Sequence, residues 1–232
     1  MKEIYSISFV LPMFNEKDNI DNTVSAMRSI ARELTDEYEI IIVDDASTDG
    51  SGEIIDEMAL HDPLVRSFHM KKNTRFGGAF AEGFRRSTKD IIIYMDSDMP
   101  VRIEDIKDSL PLIKEHDIVT GCSKIRKGDT LKRKIISGTY NLLVQIFFNL
   151  DIVDINSGYK IIKRDFIKDI KFISHSPFVD VELFLHAKKK KGRIYQYPLI
   201  FISRTAGRSH IAHPSIVWAT LVDMIKVWFL SR

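Results

Sequence analysis

Cysteine is nearly absent: Cys122 is the only one in 232 residues. A single thiol excludes an internal disulfide framework and fits a reducing compartment. Charge of either sign is not in excess. With 34 basic and 32 acidic residues the net charge is +2, which removes bulk electrostatics as an argument for nucleic-acid binding. No apolar run reaches membrane-spanning length, because the best candidate, 211–230, is interrupted by His213, Pro214, Asp223 and Lys226; no transmembrane helix is expected. The opening stretch MKEIYSISFVLPMFNE has no long apolar core and no small-residue cleavage site, so no signal peptide is expected either. Internal repeats and low-complexity linkers are missing. The glycine fingerprint of dinucleotide-binding oxidoreductases is missing too, since LPMFNE stands where it would follow the first strand.

What remains is an ordinary globular composition, 44% hydrophobic and 28% charged, of a length for one large domain with a small appendage. The first half alternates strand and helix signals. Strands are expected over 5–12, 38–45, 65–70 and 90–98, and helices over 19–35, 50–60 and 77–88. Ile20, Val24, Met27, Ile30 and Leu34 fall at helical spacing. Continuous apolar strands separated by helices predict a mostly parallel, Rossmann-like α/β sheet covered on both faces. Ligands of such sheets sit beyond the carboxyl ends of the strands. Asn15-Glu16, Asp44-Asp45, the loop 73–78 and Asp96/Asp98 all follow such ends.

The second half predicts a long helix over 132–150, with Arg133, Ser137, Asn141, Gln145 and Asn149 as a slowly winding polar stripe on a broad apolar surface. A turn and short strand (154–165), a helix (178–192) and a strand (193–204) follow. An amphipathic helix closes the chain; it carries Trp218 and Trp228 and divides an expected catalytic domain, 1–210, from a terminal segment, 211–232.

Four constellations could carry chemistry. In IIIYMDSDMP (91–100) a buried strand ends in Asp96 and Asp98. Residues two apart on a strand share a face, and like charges so placed call for a cation or a hydrogen-bond network. In VDDASTDGS (43–51), one of Asp44 and Asp45 is expected to face the cleft and the other to cap a backbone turn. In NTRFGGAFAEG (73–83), Arg75 precedes Gly77-Gly78, and glycines at a helix start leave N–H groups free for an anion. Arg133 and Ser137 stand four apart on one helix face.

The order FVLPMFNEKDNI, IIIVDDASTDGS, NTRFGGAFAEGF, IIIYMDSDM resembles the inverting family 2 glycosyltransferases, which have an A-type, nucleotide-sugar-binding fold. VTGCSKIRKGDTLKRKIISGTYNLL, DINSGYKIIKRD, FVDVELFLHAKKKKG and SRTAGRSH are similar to their dolichyl- or polyprenyl-phosphate branch. That resemblance runs from about Phe9 to His210 and implies metal-dependent transfer of a sugar from GDP-mannose or a UDP-hexose to a polyprenyl or dolichyl phosphate. It implies Mg²⁺ or Mn²⁺ held by Asp96 and Asp98. The donor would be bound by Pro12, Asn15, Glu16, Asp44, Asp45, Arg75, Gly77, Asp96 and Arg204, the last in an R-x-x-G-x-S pattern that closes over the diphosphate. Arg133 and Ser137 would hold the acceptor phosphate with Arg126, and Arg133 would share the catalytic role with the aspartates. No general base stands out, and a lipid phosphate, with a second pKa near ~6, needs none.

Two positions depart from the pattern. Pro100 stands where a metal-binding glutamine is common. Gly121-Cys122-Ser123 lacks the usual arginine, with Lys124 or Arg126 nearby to replace it. Two other readings share the fold or the binding site: a transferase with a non-lipid acceptor, and a catalytically silent, membrane-recruited nucleotide-binding module. A haloacid-dehalogenase-type phosphatase is disfavoured because its downstream acidic pair is missing. A membrane substrate and no spanning segment together predict peripheral attachment on the cytoplasmic face, directly or through a membrane partner subunit. The two apolar helices would attach it, aided by Lys188–Lys191.

Overall fold

The computed structural model describes residues 5–97, 101–126, 131–201 and 214–230. Among these residues seven strands form one sheet in the order β3-β2-β1-β4-β6-β5-β7. β1 (Ser6–Met13) lies between β2 (Glu37–Asp44) and β4 (Ile91–Met95), and β3 (Val65–His69) flanks β2, all parallel. β6 (Tyr159–Lys163) runs antiparallel to both β4 and β5 (Ile118–Arg126), and β7 (Ile194–Phe201) is parallel to β5.

Six strands therefore point one way and β6 points back. This single reversal matters for function. Because Met95 pairs with Tyr159, the turn leading into β6 arrives at the edge where β1, β2, β3 and β4 end.

Side-chain alternation divides the core in two. Ile7, Phe9 and Leu11 of β1, Ile40 and Ile42 of β2, and Ile91 and Ile93 of β4 pack with α1 (Ile20–Leu34), α2 (Ser51–His61) and α4 (Ile103–Ser109). The opposite residues Val10, Ile41, Val43, Ile92 and Tyr94 pack with α3 (Arg75–Arg86), α5 (Leu131–Phe148), α7 (Val179–Lys189) and α8 (Pro214–Leu230). α6 is the single turn Arg164–Ile167. Period-two alternation with apolar residues on both faces is what a sheet covered by helices requires.

Several expectations shift. α3 begins at Arg75 rather than residue 77, and β4 stops at Met95, so Asp96 lies just past the strand. α4, the 3₁₀ turn Leu110–Lys114 and β5 were not expected from sequence patterning. α8 is not only an appendage. Val227 is buried in the second core cluster, and Asp223 Oδ2 accepts hydrogen bonds from the backbone N–H groups of His175 (3.2 Å) and Ser176 (3.1 Å). Its other side leaves Trp218 70% and Phe229 68% exposed, and Phe147 of α5, also exposed, lines a shallow apolar groove with Phe229; Leu142 and Ile146 of α5 are exposed as well. Among the described residues no helix is long and apolar enough to cross a membrane.

Candidate active site

The polar clusters at the strand ends share one edge of the sheet, as expected. Pro12 is buried in β1 opposite Val43. The next loop turns through Asn15 at φ 55°, a left-handed conformation that asparagine tolerates. Its backbone N–H donates to Ser47 Oγ (2.9 Å), and its Oδ1 accepts from Thr48 N–H (2.8 Å). The β1 and β2 loops are thereby tied together. Glu16 Oε2 accepts from Asn19 Nδ2 (2.8 Å), and Glu16 N–H donates to Ser51 Oγ (3.0 Å). Ala46 (φ 63°), in the loop after β2, and Arg75 (φ 62°), the first residue of α3, repeat the left-handed conformation. For alanine and arginine it costs energy, and such strain gathers where loops are shaped for binding.

Both aspartates at the end of β2 hold backbone, where only one was expected to. Asp44 Oδ1 accepts from Ser47 N–H (2.9 Å), and its Oδ2 is 3.0 Å from His69 Nδ1. Asp45 Oδ1 accepts from the N–H and the hydroxyl of Thr74, both at 2.6 Å. Burial pushes the Asp45 carboxyl up from its ordinary range, against the pull of Thr74. His69 Nε2 also lies 2.8 Å from Asp56 Oδ1. With a carboxylate at each ring nitrogen, Asp56 first and then Asp44, the imidazole is raised above its usual 6.5.

The glycine loop works differently from expectation. Gly77 N–H donates to His175 O at 3.0 Å, so this amide is spent on protein rather than left for an anion. A Cβ on Gly77 would sit 2.5 Å from Ser174 O and 2.8 Å from Ser176 O. Here glycine is required for close backbone approach. Arg75, just before it, is exposed at the edge.

At the end of β4, Asp96 N–H donates to Gly158 O (3.1 Å), and Asp96 Oδ1 accepts from the Tyr94 hydroxyl (2.7 Å). Beneath them lies a group the sequence patterning missed. Lys160 of β6 is fully buried, with its ammonium 2.9 Å from Asp180 Oδ1 of α7 and 2.5 Å from Ser157 O. Burial raises the Asp180 carboxyl to about 6; Lys160 opposes this, while the negative charges of Asp96 and Asp154 add to it. Burial, and then the charge of Asp180, also push up the Tyr140 phenol of α5. α5 therefore feels the same cluster.

Asp98 and Arg204 lie outside the described residues. Arg126, Arg133 and Ser137 lie on described backbone, at the end of β5 and in the first two turns of α5. Among the described residues no group of three His, Cys, Asp or Glu side chains forms a complete metal site. The Asp96 carboxylate, oriented by Tyr94 and acting electrostatically on Asp180, is a hard oxygen donor of the kind that suits a cation keeping some of its waters. The basic cluster of α7 is partly committed elsewhere: Lys188 Nζ caps the end of α5 through Phe148 O (3.1 Å) and Asn149 O (2.8 Å).

A mostly parallel sheet with carboxylates and strained loops at its C-terminal edge is the architecture of an A-type nucleotide-sugar transferase. The sequence pattern of "Glycosyl transferase family 2" matches residues 8–171, and the chain belongs to that family: it is a glycosyltransferase. It is 27% identical to an undecaprenyl-phosphate mannosyltransferase of Micrococcus luteus, across 96% of this chain and 93% of that protein. It is 30% identical to an undecaprenyl-phosphate 4-deoxy-4-formamido-L-arabinose transferase of Yersinia enterocolitica, across 62% of this chain and 44% of the relative. Glucosyl-3-phosphoglycerate synthase of Mycobacterium tuberculosis, crystallised with Mn²⁺, UDP and glucosyl-3-phosphoglycerate, shares the fold. Its TM-score is 0.73 at 18% identity, covering 96% of this chain and 79% of that one.

Proposed function

We propose that the protein transfers a sugar from a nucleotide sugar, GDP-mannose or a UDP-hexose, to a polyprenyl or dolichyl phosphate at a membrane surface. The supporting observation is the convergence of the β1, β2, β3 and β4 loops, with the reversed β6 turn, beside the oriented Asp96 carboxylate. The acceptor class is supported by relatives named as undecaprenyl-phosphate sugar transferases.

In this reading Pro12, Asn15, Glu16, Asp44 and Asp45 shape the nucleoside pocket, with Arg75 at its rim and Arg204 over the diphosphate. Asp96 and Asp98 hold Mg²⁺ or Mn²⁺, which when bound offsets charge on the departing nucleoside diphosphate. Arg133 and Ser137, with Arg126, hold the acceptor phosphate so that its oxygen attacks the anomeric carbon from the face opposite the leaving group. A new C–O bond to the phosphate forms as the bond to the diphosphate breaks, with inversion. The phosphate is already anionic, so positioning replaces proton abstraction. Asp180 is no candidate base, being paired with Lys160.

The outward apolar residues of α5 and α8 rest on the membrane surface, as an interfacial helix pair does. A thermal-shift panel of GDP- and UDP-sugars, with and without Mn²⁺, tests the donor side. Metal-dependent stabilisation by one nucleotide class is expected, and none by any donor would contradict it.

A further inference from the structure

The Asp96 carboxylate is oriented by a residue that reads in the sequence as plain strand core. Tyr94 is completely buried, and a buried phenol needs a partner for its hydroxyl. It finds Asp96 Oδ1 at 2.7 Å, two residues along the chain. The ring has little freedom. Phe80 packs on it with centroids 4.8 Å apart, and Phe76 and Phe84 meet it edge-on at 6.2 Å. The Lys160 ammonium stands 5.4 Å from the ring centroid. Tyr94 and Lys160 are direct cross-strand partners in the β4–β6 register, which sets their side chains side by side on one face. Lys160 is fixed in turn by Asp180 from α7 and by the Ser157 carbonyl.

We propose that Tyr94 is a positioning residue for the metal-binding carboxylate Asp96, held in place by the buried Lys160–Asp180 pair. This rests on the reading of Asp96 as a cation ligand. A carboxylate free to rotate must be ordered each time the cation arrives with the donor diphosphate. One clamped through Oδ1 to a packed phenol is ordered beforehand, and loss of such an outer partner typically weakens metal binding by about 10–100-fold.

The test uses the full chain as wild type, Tyr94→Phe and Asp96→Asn. Mn²⁺ is titrated calorimetrically into each protein, first alone and then with saturating UDP or GDP, alongside thermal unfolding. Tyr94→Phe keeps the ring and its packing, so it should fold with a small change in Tm. It should raise the half-saturating Mn²⁺ concentration about tenfold, and excess Mn²⁺ should restore nucleotide binding to the wild-type level. Asp96→Asn should abolish Mn²⁺ uptake. If Tyr94→Phe lowers Tm but takes up Mn²⁺ as tightly as wild type or more so, while Asp96→Asn does not, the hydroxyl is structural and the positioning role is wrong. If Asp96→Asn takes up Mn²⁺ like wild type, the cation reading of Asp96 fails, and the role of Tyr94 fails with it.

Discussion

Lys160 Nζ and Asp180 Oδ1 lie 2.9 Å apart with neither side chain more than 1% exposed. An ion pair sealed this deeply joins the reversed strand to α7 directly behind the candidate site. Removing one partner strands the other charge in a low-dielectric interior, which costs about 3–5 kcal/mol, whereas replacing both with apolar residues is close to neutral. Lys160→Met should therefore destabilise the fold strongly, and Lys160→Met with Asp180→Leu should recover most of the loss. Urea unfolding of the two variants checks this; a double variant less stable than the single would contradict it.

His69 should titrate above 6.5. Asp56 and Asp44 stabilise its charged form, so the folded state binds the proton more tightly than the unfolded chain. The sign follows: this contribution to stability is complete below about pH 6.5 and is lost as pH rises through the folded-state pKa. An NMR titration of the His69 ring should show the raised value, and Asp56→Asn should lower it. Titration at or below 6.5 in the wild type would contradict the two-carboxylate geometry.

Gly77→Ala should lose about 1–3 kcal/mol, the usual cost of forced overpacking. The new methyl meets Ser174 and Ser176 carbonyl oxygens rather than a flexible side chain, so the α3 start and the 174–176 loop must part. A Tm unchanged from wild type would show that the loop yields freely.

The outward faces of α5 and α8 should bind membranes. Trp218→Ser with Phe229→Ser removes two exposed aromatics while leaving Asp223 and Val227 seated in the domain. Co-sedimentation with liposomes containing anionic lipid should fall several-fold with Tm unchanged. Equal binding would leave α5 alone as the contact. Truncating α8 is the poorer experiment, because it also removes the Asp223 cap on His175 and Ser176.

Most of the parallel sheet could be read in advance. IIIVDD and IIIYMD are unbroken apolar runs closed by charge, and only a sheet covered on both faces buries such runs. The edge carrying the site followed from the same pattern. β5 did not, because IVTGCSKIR turns polar after two residues and draws its place from pairing with β6 and β7 rather than from its own hydrophobicity. Lys160 was hidden for a similar reason. Within YKIIKRD it looks like a solvated charge, and only its register opposite Tyr94, on the face covered by α7, buries it against Asp180. Tyr94 reads as core and is core; its hydroxyl gains meaning once β4 is seen to end one residue before Asp96. Gly77 was assigned to anion binding from its place at a helix start, whereas its amide and its missing side chain answer to the 174–176 backbone.

The central claim is transfer of sugar to a lipid phosphate with help from Asp96 and Asp98. The most direct measurement incubates purified protein with radiolabelled GDP-mannose or UDP-glucose, Mn²⁺ and polyprenyl phosphate, and counts label extracted into organic solvent. Wild type should produce acid-labile glycolipid that disappears with chelator and with Asp98→Ala, and Arg133→Ala should raise the KM for the lipid with donor affinity unchanged. Lipid-linked label formed at the wild-type rate by Asp98→Ala, or label appearing only on a soluble acceptor, would contradict the account.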